Sequence, residues 1–532
     1  MKKIKLYTKI LPVLLLSFSA CESMMDVELP DALDAGEHYS SSGEVYGAFF
    51  GINATFTKVT EQTILLAGLK GDLMEPTSFA PESFWSIYRY EADNTTPYTG
   101  SAPYYDIVIN CNDFIKRLVN YNLTRPGEIP EAAYRGMLSQ AICYKTWSLM
   151  MIGQFWGEAR FYNEPLTDDS GQGMVLLNMD ALPSFLISYM REGVAGVDAF
   201  QDLDWKVVLD NPAANWNGRM MEPNILLGEL SLWNKDYSSA FDSFLKGLAK
   251  NAENLHPLVT RGYLNIFSSE PHEVFTEVIS GAVFDTRYHQ THNLTVYFTL
   301  PATGVQSGSA RYYIRPNRVI LDLYDTQVDM LYGKGDFIRK STAIYEKIDI
   351  IGSYRNEYAG IDKFQSDDSP IPVYRSGQVF LNVIEALAFM GRYEEAFGLL
   401  NGGLRDAFDG TAYEAPFQAY PADLKESYGI RSRVQLSEYK EQEVFGETAI
   451  SSRDSLVRFL GVVADEIAME LSFEGKRWPT LVRMARNLQD PAFLADRVSR
   501  KFENSGETET YRNLLLDPAN WYIKDDEKNT LK

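Results

Sequence analysis

The sequence of 532 residues has few of the side chains on which metal and nucleophilic chemistry usually depend: 5 histidines and 3 cysteines. Basic residues are also in the minority, because 50 Lys and Arg stand against 72 Asp and Glu and give a net charge of −22. This balance argues against a nucleic-acid partner, since binding to phosphates needs a basic surface. No stretch after the N-terminal segment is apolar enough to span a bilayer. The composition therefore argues against a metalloenzyme and a helical membrane protein.

The remaining composition is that of a globular chain with a large core. Hydrophobic residues make up 45% and charged residues 23%, which is ordinary for a folded protein. Aromatic residues reach 13%, with 32 Tyr and 29 Phe. The length suggests three to four domains, unless the chain is built from helical repeats that grow as one body.

The N-terminus has the pattern of a signal peptide over residues 1–20, with a lysine-rich start and an apolar stretch that ends in small residues. These small residues precede Cys21, as in a lipoprotein signal, where the cysteine thiol is acylated and becomes a lipid anchor. The polar residues 21–39 would then form a flexible tether. An ordinary signal peptide followed by a chance cysteine is the alternative. With the anchor, the protein would sit on a membrane without entering it.

Helical spacing of apolar residues predicts helices from about Ser40 to Lys70 and from Tyr104 to Trp156. Cys111 and Cys143 lie in the second region. They could pair as a disulfide, and two buried thiols are at least as consistent with the sequence.

Two later segments resemble each other and predict repeated helical hairpins. Each has an apolar helix, a short polar turn, a tyrosine and an alanine three residues further on, at Tyr237 and Ala240 and again at Tyr393 and Ala396. This is the turn signature of a tetratricopeptide-type hairpin, in which the small alanine lets two helices approach closely. The period is not kept through the chain, so we expect insertions between repeats.

We expect long variable loops near residues 71–103, 285–316 and 406–425; the first lies between the N-terminal helices, and the other two are insertions between repeats. Loops of this length in a compact protein usually carry function. Alternating Thr, Tyr, Val and Phe within 285–316 predicts a few short strands or a hairpin there.

A charged motif stands near the C-terminus, where Glu466, Glu470 and Glu474 are spaced four residues apart on one helical face. Arg477 and Arg483 follow and are the expected partners of these carboxylates. We interpret the motif as a buried ion-pair network that fixes a helix end. A catalytic carboxylate pair is the less favoured alternative, since no third group is evident.

The segment from Glu470 to Arg483 resembles the E-L-x-F-E-G-x-R-W-x-D-L-x-R signature of the SusD/RagB family, with Thr480 where the family usually has Asp. Further similarity lies at Tyr374-Arg375, in the turn Gly391 to Ala396, and at Cys21. The resemblance spans nearly all of the mature chain. It implies a mostly α fold, with a scaffold of tetratricopeptide-like hairpins, a loop-rich subdomain and a few short strands, in a single domain from residue 40 to 532.

The resemblance also implies a function. Family members are not enzymes; they are lipid-anchored at the surface of the outer membrane, where they cap a TonB-dependent transporter of the SusC type and deliver oligosaccharides to it. No cofactor and no metal are implied. Peptide or glycopeptide binding, as in the RagB branch, is an alternative within the family, and a secreted glycoside hydrolase is a less favoured alternative outside it, because no carboxylate pair at a fixed separation stands out.

Sugar rings present flat C–H faces on which aromatic side chains stack, while polar side chains bond the hydroxyls. The predicted ligand-binding residues combine these two types in the first and second long loops: Trp85, Tyr88, Tyr90, Asp93, Asn94, Tyr288, Tyr297 and Tyr312, with Tyr313 as a further candidate. Each aromatic residue could instead pack its own loop. His289 and His292 are spaced as in a zinc site but lack a third ligand, so we interpret them as solvated loop histidines.

Overall fold

The computed structural model describes residues 39–165, 173–201, 205–208, 217–249, 257–260, 263, 266–267, 277–300, 311–351, 354–447 and 450–524. Met1–Gly47 and Ala48–Lys532 are two compact units. The expected signal peptide, the anchor residue Cys21 and the tether up to residue 38 lie outside the described residues and stay predictions. In the described part of the first unit, the backbone N–H and the hydroxyl of Ser40 both donate to Glu44, at 2.7 and 2.8 Å.

The described chain is mainly α-helical, and the helices are α1 (Ser42–Lys70), α2 (Glu82–Tyr88), α3 (Ala102–Thr124), α4 (Glu131–Trp156), α5 (Leu182–Glu192), α6 (Trp205–Val208), α7 (Pro223–Trp233), α8 (Tyr237–Ala249), α9 (Leu294–Phe298), α10 (Arg318–Asp325), α11 (Phe337–Ala343), α12 (Ser376–Phe389), α13 (Tyr393–Asn401), α14 (Leu404–Phe408), α15 (Glu414–Gln418), α16 (Ala422–Lys425), α17 (Glu441–Phe445), α18 (Ser452–Glu470), α19 (Arg477–Leu488), α20 (Pro491–Val498) and α21 (Thr508–Leu515). Short 3₁₀ turns are Asn217–Arg219, Thr286–Tyr288, Ser432–Val434, Ser499–Ser505 and Pro518–Trp521. None of the helices within the described ranges is long and apolar enough to cross a membrane.

The strands form two-stranded antiparallel ladders in the described part of the chain. They are β1 (Met74–Pro76) with β5 (Ile314–Pro316), β2 (Glu158–Phe161) with β3 (Val175–Asn178), β4 (Val278–Ala282) with β10 (Ile371–Arg375), β6 (Val328–Asp329) with β7 (Gly333–Lys334), and β8 (Ile344–Ile351) with β9 (Tyr354–Ile361). In the ladder that matters below, Met74 is opposite Pro316 and Pro76 is opposite Ile314.

The long N-terminal helices confirm the apolar periodicity of the sequence, because α1, α3 and α4 cover the predicted regions. Helix α4 ends where Gly157 adopts φ 85°, and its N–H donates to the Gly153 carbonyl at 2.9 Å. A side chain at Gly157 would also meet the Tyr522 ring, since a Cβ there would lie 2.9 Å from Tyr522 Cγ. Glycine therefore satisfies both the left-handed turn and the close approach.

The two predicted hairpins are α7–α8 and α12–α13, and they pack on each other through α8 and α12. The ring of Tyr237, at the turn of the first, stacks on Phe389 of the second at 4.3 Å between centroids and 2° between planes. Ala240 and Ala396 are fully buried at their expected positions. Close packing inside the first hairpin depends on Gly228, where a Cβ would lie 2.6 Å from the Phe244 ring.

The long loops hold more secondary structure than the sequence indicated. The loop 71–103 contains β1 and α2, and the loop 406–425 contains α15 and α16. In 285–316 we expected a few short strands or a hairpin, and the described residues form one short strand, β5, together with the turn Thr286–Tyr288 and helix α9. The long hairpin β8–β9 was not anticipated.

Glu466, Glu470 and Glu474 are all buried; the first two lie in the last turns of α18, and Glu474 lies in the turn that follows the helix. Arg339 Nη1 lies 2.8 Å from Glu466, and Arg375 lies 2.7 Å from both Glu470 and Glu474. Further buried members of this charged core are Asp336, Lys363, Arg431, Arg433 and Glu277. Every charge of the network thus has an opposite charge beside it, which buried ions require.

Arg477 and Arg483 do not pair with these glutamates, so the partners expected from the sequence are wrong. Arg477 forms a two-pronged ion pair with Asp72, with both nitrogen–oxygen distances at 2.6 Å. Arg483 pairs in the same way with Glu385 of α12, at 2.9 and 2.6 Å. The carboxylates lie before the break near Gly475 and the arginines lie on α19 after it, and the two sets have different neighbours.

Cys111 and Cys143 are both buried and are not joined by a disulfide. Burial raises the pKa of the Cys111 thiol to about 12, with opposing effects of the Lys145 charge and backbone N–H. Of the two possibilities left open by the sequence, the structure has the buried thiols. A buried thiol with a raised pKa, such as that of Cys111, is a poor nucleophile.

Candidate ligand-binding site

Aromatic residues from two of the predicted loops meet in one cluster. We call it the tyrosine platform: Phe84, Tyr98, Tyr297 and Tyr313. The rings of Tyr297 and Tyr313 stack with centroids 5.7 Å apart and planes at 23°. Phe84 lies beneath, 5.5 Å from Tyr98 and 5.6 Å from Tyr297. The hydroxyls of Tyr98 and Tyr297 are 2.5 Å apart and share a hydrogen bond.

Secondary structure positions three of the four rings of the platform. Phe84 is on α2 and Tyr297 is on α9, while Tyr313 directly precedes β5. The pairing of β5 with β1 extends beyond the strands, because the N–H of Thr77 donates to the Tyr313 carbonyl at 2.8 Å. The first long loop is therefore bonded to the second through the backbone.

Tyr98 is held in a left-handed conformation, with φ 72°, which is uncommon for a tyrosine. The side-chain amide of Gln62 donates to the carbonyls of Tyr98 and Gly100 at 2.9 and 2.8 Å, and this fixes the loop. Next to Gln62, the Glu61 carboxylate accepts the N–H of Asn293 at 2.6 Å. Helix α1 thus bonds to both loops that form the platform.

The platform offers polar groups as well as ring faces. Phe84 is buried, whereas Tyr98, Tyr297 and Tyr313 are partly exposed. Burial raises the pKa of the Tyr98 and Tyr297 hydroxyls, so both are neutral at physiological pH; one donates to the other, and the acceptor keeps its own proton to donate. Burial also raises the pKa of Glu61, against the lowering effect of Asn293. Partly exposed rings with hydroxyls and a nearby carboxylate suit a ligand with an apolar face and hydroxyl groups.

Three predicted site residues face a different neighbour. The Tyr88 ring packs on Phe502 at 4.9 Å and also receives Trp85 edge-on at 5.9 Å. Tyr90 packs on Trp478, at 5.7 Å. Tyr88 and Tyr90 therefore contact the C-terminal segments, and Trp85 contacts Tyr88, while Phe84 contacts the platform.

Lys501 lies at the centre of this second cluster, which we call the lysine cage: Lys70, Tyr88, Tyr90, Lys501 and Phe502. Its ammonium is 4.2 Å from the Tyr88 ring centroid and 4.6 Å from that of Tyr90. It donates to the carbonyls that end helix α1, at 2.8 Å to Leu69 and 3.0 Å to Gly71. A cation at a helix C-terminus satisfies carbonyls that have no partner within the helix.

The polar members of the predicted site stabilise a turn. Asp93 Oδ1 accepts the N–H and the hydroxyl of Thr95, at 2.9 and 2.7 Å, and these bonds lower the pKa of the Asp93 carboxyl. The N–H of Asn94 donates to the Lys524 carbonyl at 3.2 Å. Both residues lie in the segment between α2 and α3.

Tyr312 is buried, and its hydroxyl donates to the Ala359 carbonyl at 2.8 Å. Burial raises the pKa of this hydroxyl to about 12. Tyr288 ends a 3₁₀ turn, and its side chain lies outside the described residues. Of the predicted ligand-binding residues, the platform contains Tyr297, together with the further candidate Tyr313. The binding role of all the predicted residues stays a prediction.

Sequence reasoning missed Phe84, Tyr98 and Glu61 as members of one cluster. Tyr98 was part of the aromatic-rich loop, so composition carried a signal for it. His292 also differs from expectation: it is buried edge-on against Phe284 at 4.9 Å, and its Nε2 is 3.0 Å from the Ser369 carbonyl. Burial lowers the pKa of His292, so the solvated histidine expected at this position is wrong.

Comparison with protein families gives one result: residues 334–529 match the model of the SusD family. The match contains the C-terminal motif and most of the charged core. Among curated proteins, no sequence matches the chain.

Solved structures with the same fold cover most of the chain. A SusD superfamily protein from Bacteroides vulgatus ATCC 8482 has a TM-score of 0.63 at 12% identity, over 91% of this chain and 95% of that one. Another SusD superfamily protein, from Bacteroides thetaiotaomicron VPI-5482, has a TM-score of 0.63 at 15% identity, over 92% of this chain and 95% of that one. A laminarin-binding SusD-like protein has a TM-score of 0.57 at 14% identity, over 86% of this chain and 94% of that one. At these identities the similarity shows a shared fold.

Proposed function

We propose that this protein, which belongs to the SusD/RagB family, binds oligosaccharides at the cell surface and delivers them to a partner TonB-dependent transporter of the SusC type. The tyrosine platform is the observation that carries the proposal. Its stacked rings match the C–H face of a sugar, and its hydroxyls and the Glu61 carboxylate match sugar hydroxyls.

The geometry supports a binding site because the platform is organised before any ligand arrives. The Tyr98 loop is fixed by Gln62, and the Tyr313 segment is fixed by Thr77. Ordered side chains lose little entropy on binding, which raises affinity. A relative of the same fold is described as laminarin-binding, which supports a polysaccharide-derived ligand for this protein too.

Delivery and location are further parts of the proposal. Cys21 after an apolar leader supports lipid anchoring, and the family resemblance supports the outer surface of the outer membrane and the SusC-like partner. We propose that the protein binds its ligand without hydrolysing it. A reducing-end assay with each bound glycan checks this: release of new reducing ends above the buffer level would favour a hydrolase instead.

Calorimetric titration of the purified protein against a panel of plant, host and microbial oligosaccharides tests the site. Tyr297→Ala should weaken binding of the responding glycan about fivefold, since an aromatic stacking contact contributes roughly 1 kcal/mol. Tyr313→Ala should act similarly. Tyr332→Ala, at an exposed tyrosine of another segment, is the matched control and should bind as the wild type does.

Trp85→Ala distinguishes the platform from the cluster that the sequence suggested first. A loss of affinity with Trp85→Ala and none with Tyr297→Ala would move the site to the other face of α2. Binding of peptide pools with no response to any glycan would overturn the proposed ligand class and favour the RagB-like alternative.

A further inference from the structure

The segment Val328–Phe337 exposes an unusual concentration of large apolar side chains. In it, Val328, Met330, Leu331, Tyr332 and Phe337 are 49 to 72% exposed. They are half of the exposed large hydrophobic residues in the described chain. We call this segment the apolar hairpin, because β6 and β7 form its two strands. Contiguous apolar surface of this kind marks interaction sites on soluble proteins.

The backbone of the apolar hairpin is rigidly supported. Asp329 is buried, and its Oδ1 accepts the N–H groups of Leu331 and Tyr332, both at 2.8 Å. The N–H of Met330 donates to the Gln435 carbonyl at 2.9 Å, and the N–H of Ser437 donates to the Val328 carbonyl at 2.9 Å. The exposed side chains are therefore displayed on a fixed turn.

The base of the hairpin is joined to the charged core. Asp336 pairs with Arg339, which pairs with Glu466 at 2.8 Å, and all three are buried. At the surface, Tyr332 meets Phe337 edge-on at 5.2 Å. The loop is already ordered in the folded protein, so a partner that binds it does not have to restrict its conformation further, and binding costs little conformational entropy.

Charge around the hairpin indicates which kind of partner fits. Ser437 contacts the hairpin backbone, and the residues that follow include the exposed Glu438, Glu441 and Glu443, which outnumber the exposed bases Lys440, 4.0 Å from Glu443, and Lys334 of β7. We call the three glutamates the acidic rim. The whole chain has a net charge of −22, so a second copy of the chain or an anionic lipid surface would be repelled as it approaches.

We propose that the apolar hairpin is the docking surface for a partner protein whose contact face has an apolar pocket flanked by Lys and Arg. The pocket receives Met330, Leu331 and Tyr332, and the basic flank meets the acidic rim. This is the arrangement of an apolar interface centre with a charged margin. The inference concerns this surface alone and does not depend on the ligand of the tyrosine platform.

Site-specific photo-cross-linking of the full chain, in the cells that make it, tests this inference. A photoreactive phenylalanine analogue at position 332 should give one protein adduct, and mass spectrometry should map it to an apolar segment flanked by Lys or Arg. The same analogue at Leu123, which is 75% exposed on α3, is the matched control and should give no such adduct.

Two variants test the chemistry of the contact. Met330→Ser with Leu331→Ser should reduce the adduct about tenfold, because the apolar anchors are lost. Glu441→Lys with Glu443→Lys leaves the hairpin intact and should also reduce it about tenfold, through reversal of the attractive charge. An adduct of two copies of this chain, an adduct with lipid, a partner segment without basic residues, or no adduct from a folded protein would each overturn the proposal.

Discussion

Arg477 and Asp72 form a two-pronged buried ion pair between residues 405 positions apart, with both N–O distances at 2.6 Å. Asp72 lies two residues after the end of α1, and Arg477 begins α19. Arg477 also donates to the Ala464 carbonyl at 2.6 Å. The pair therefore ties the first long helix to the C-terminal motif.

Asp72→Ala should lower the free energy of unfolding by about 3–5 kcal/mol, because it leaves a buried guanidinium without its counter-charge. Urea unfolding measures the change. Glu82→Ala is the matched control, since it breaks the pair with Arg89 at the surface, where both side chains are at least 38% exposed. The control should change stability by less than about 1 kcal/mol. Equal effects of the two variants would contradict this account.

Acid should weaken the fold through Glu470. Burial would raise the pKa of this carboxyl, but Arg433, Arg375 and Arg339 outweigh burial and lower it to about 2. A carboxyl with a lowered pKa in the folded state contributes stability above its ordinary pKa of 4.5, and that contribution is lost as the pH falls from 4.5 towards 2. The urea midpoint should therefore fall over this range. Glu470→Gln, if it folds, should show a shallower fall, and an unchanged slope would remove Glu470 as its source.

Raising the pH above 7 should stabilise the fold through Lys70. Its ammonium lies between the rings of Tyr90 and Trp478, and burial lowers its pKa to about 7. The unfolded chain holds this proton up to its ordinary pKa of 10.5, so stability should rise as the pH rises from 7. Lys70→Met should be more stable than the wild type at pH 7 and should depend less on pH between 7 and 9. Lys116→Met, at an exposed lysine, should leave the pH dependence intact.

Gly228 lies in the first hairpin against a close neighbour, and Gly51 lies in α1 with open space beside it. Substituting each by alanine therefore separates the effect of close packing from the effect of removing a helical glycine. Gly228→Ala should destabilise the protein by about 1–3 kcal/mol, because its Cβ would lie 2.6 Å from the Phe244 ring. Gly51→Ala has nothing within 4 Å of the new methyl group and should stabilise α1 by about 0.4–1 kcal/mol. Thermal or urea unfolding of both variants measures the difference. Destabilisation of similar size by both would contradict the packing argument.

The long helices were predictable because periodicity over many residues is a strong signal. Ile107, Cys111, Phe114 and Leu118 repeat at helical spacing, and all four are buried in α3. Helix α2 is 7 residues long and lies between prolines and polar residues, so its pattern could not be recognised. The partners of Glu470 could not be read from the sequence either, since Arg375 is 95 positions away.

The candidate site was predictable in composition but not in arrangement. Phe84 and Trp85 are adjacent on α2, and side chains of adjacent helical residues point about 100° apart. One therefore joins the tyrosine platform, and the other joins Tyr88 near the C-terminal helices. Which aromatic residues meet depends on the rotation of one short helix, and composition carries no information about that rotation.

The charged core has a consequence for the order in which the molecule can fold. Its members come from separate stretches between Glu277 and Glu474, and Arg339 must find Glu466 across 127 positions. A chain that has emerged only as far as β10 carries Glu277 and Arg375 without Glu470 and Glu474. Contacts between distant parts of a chain form slowly, because the intervening segments must be ordered first. The core can therefore close only after the chain has been synthesised as far as Glu474, and until then Arg339 and Arg375 lack their partners Glu466, Glu470 and Glu474.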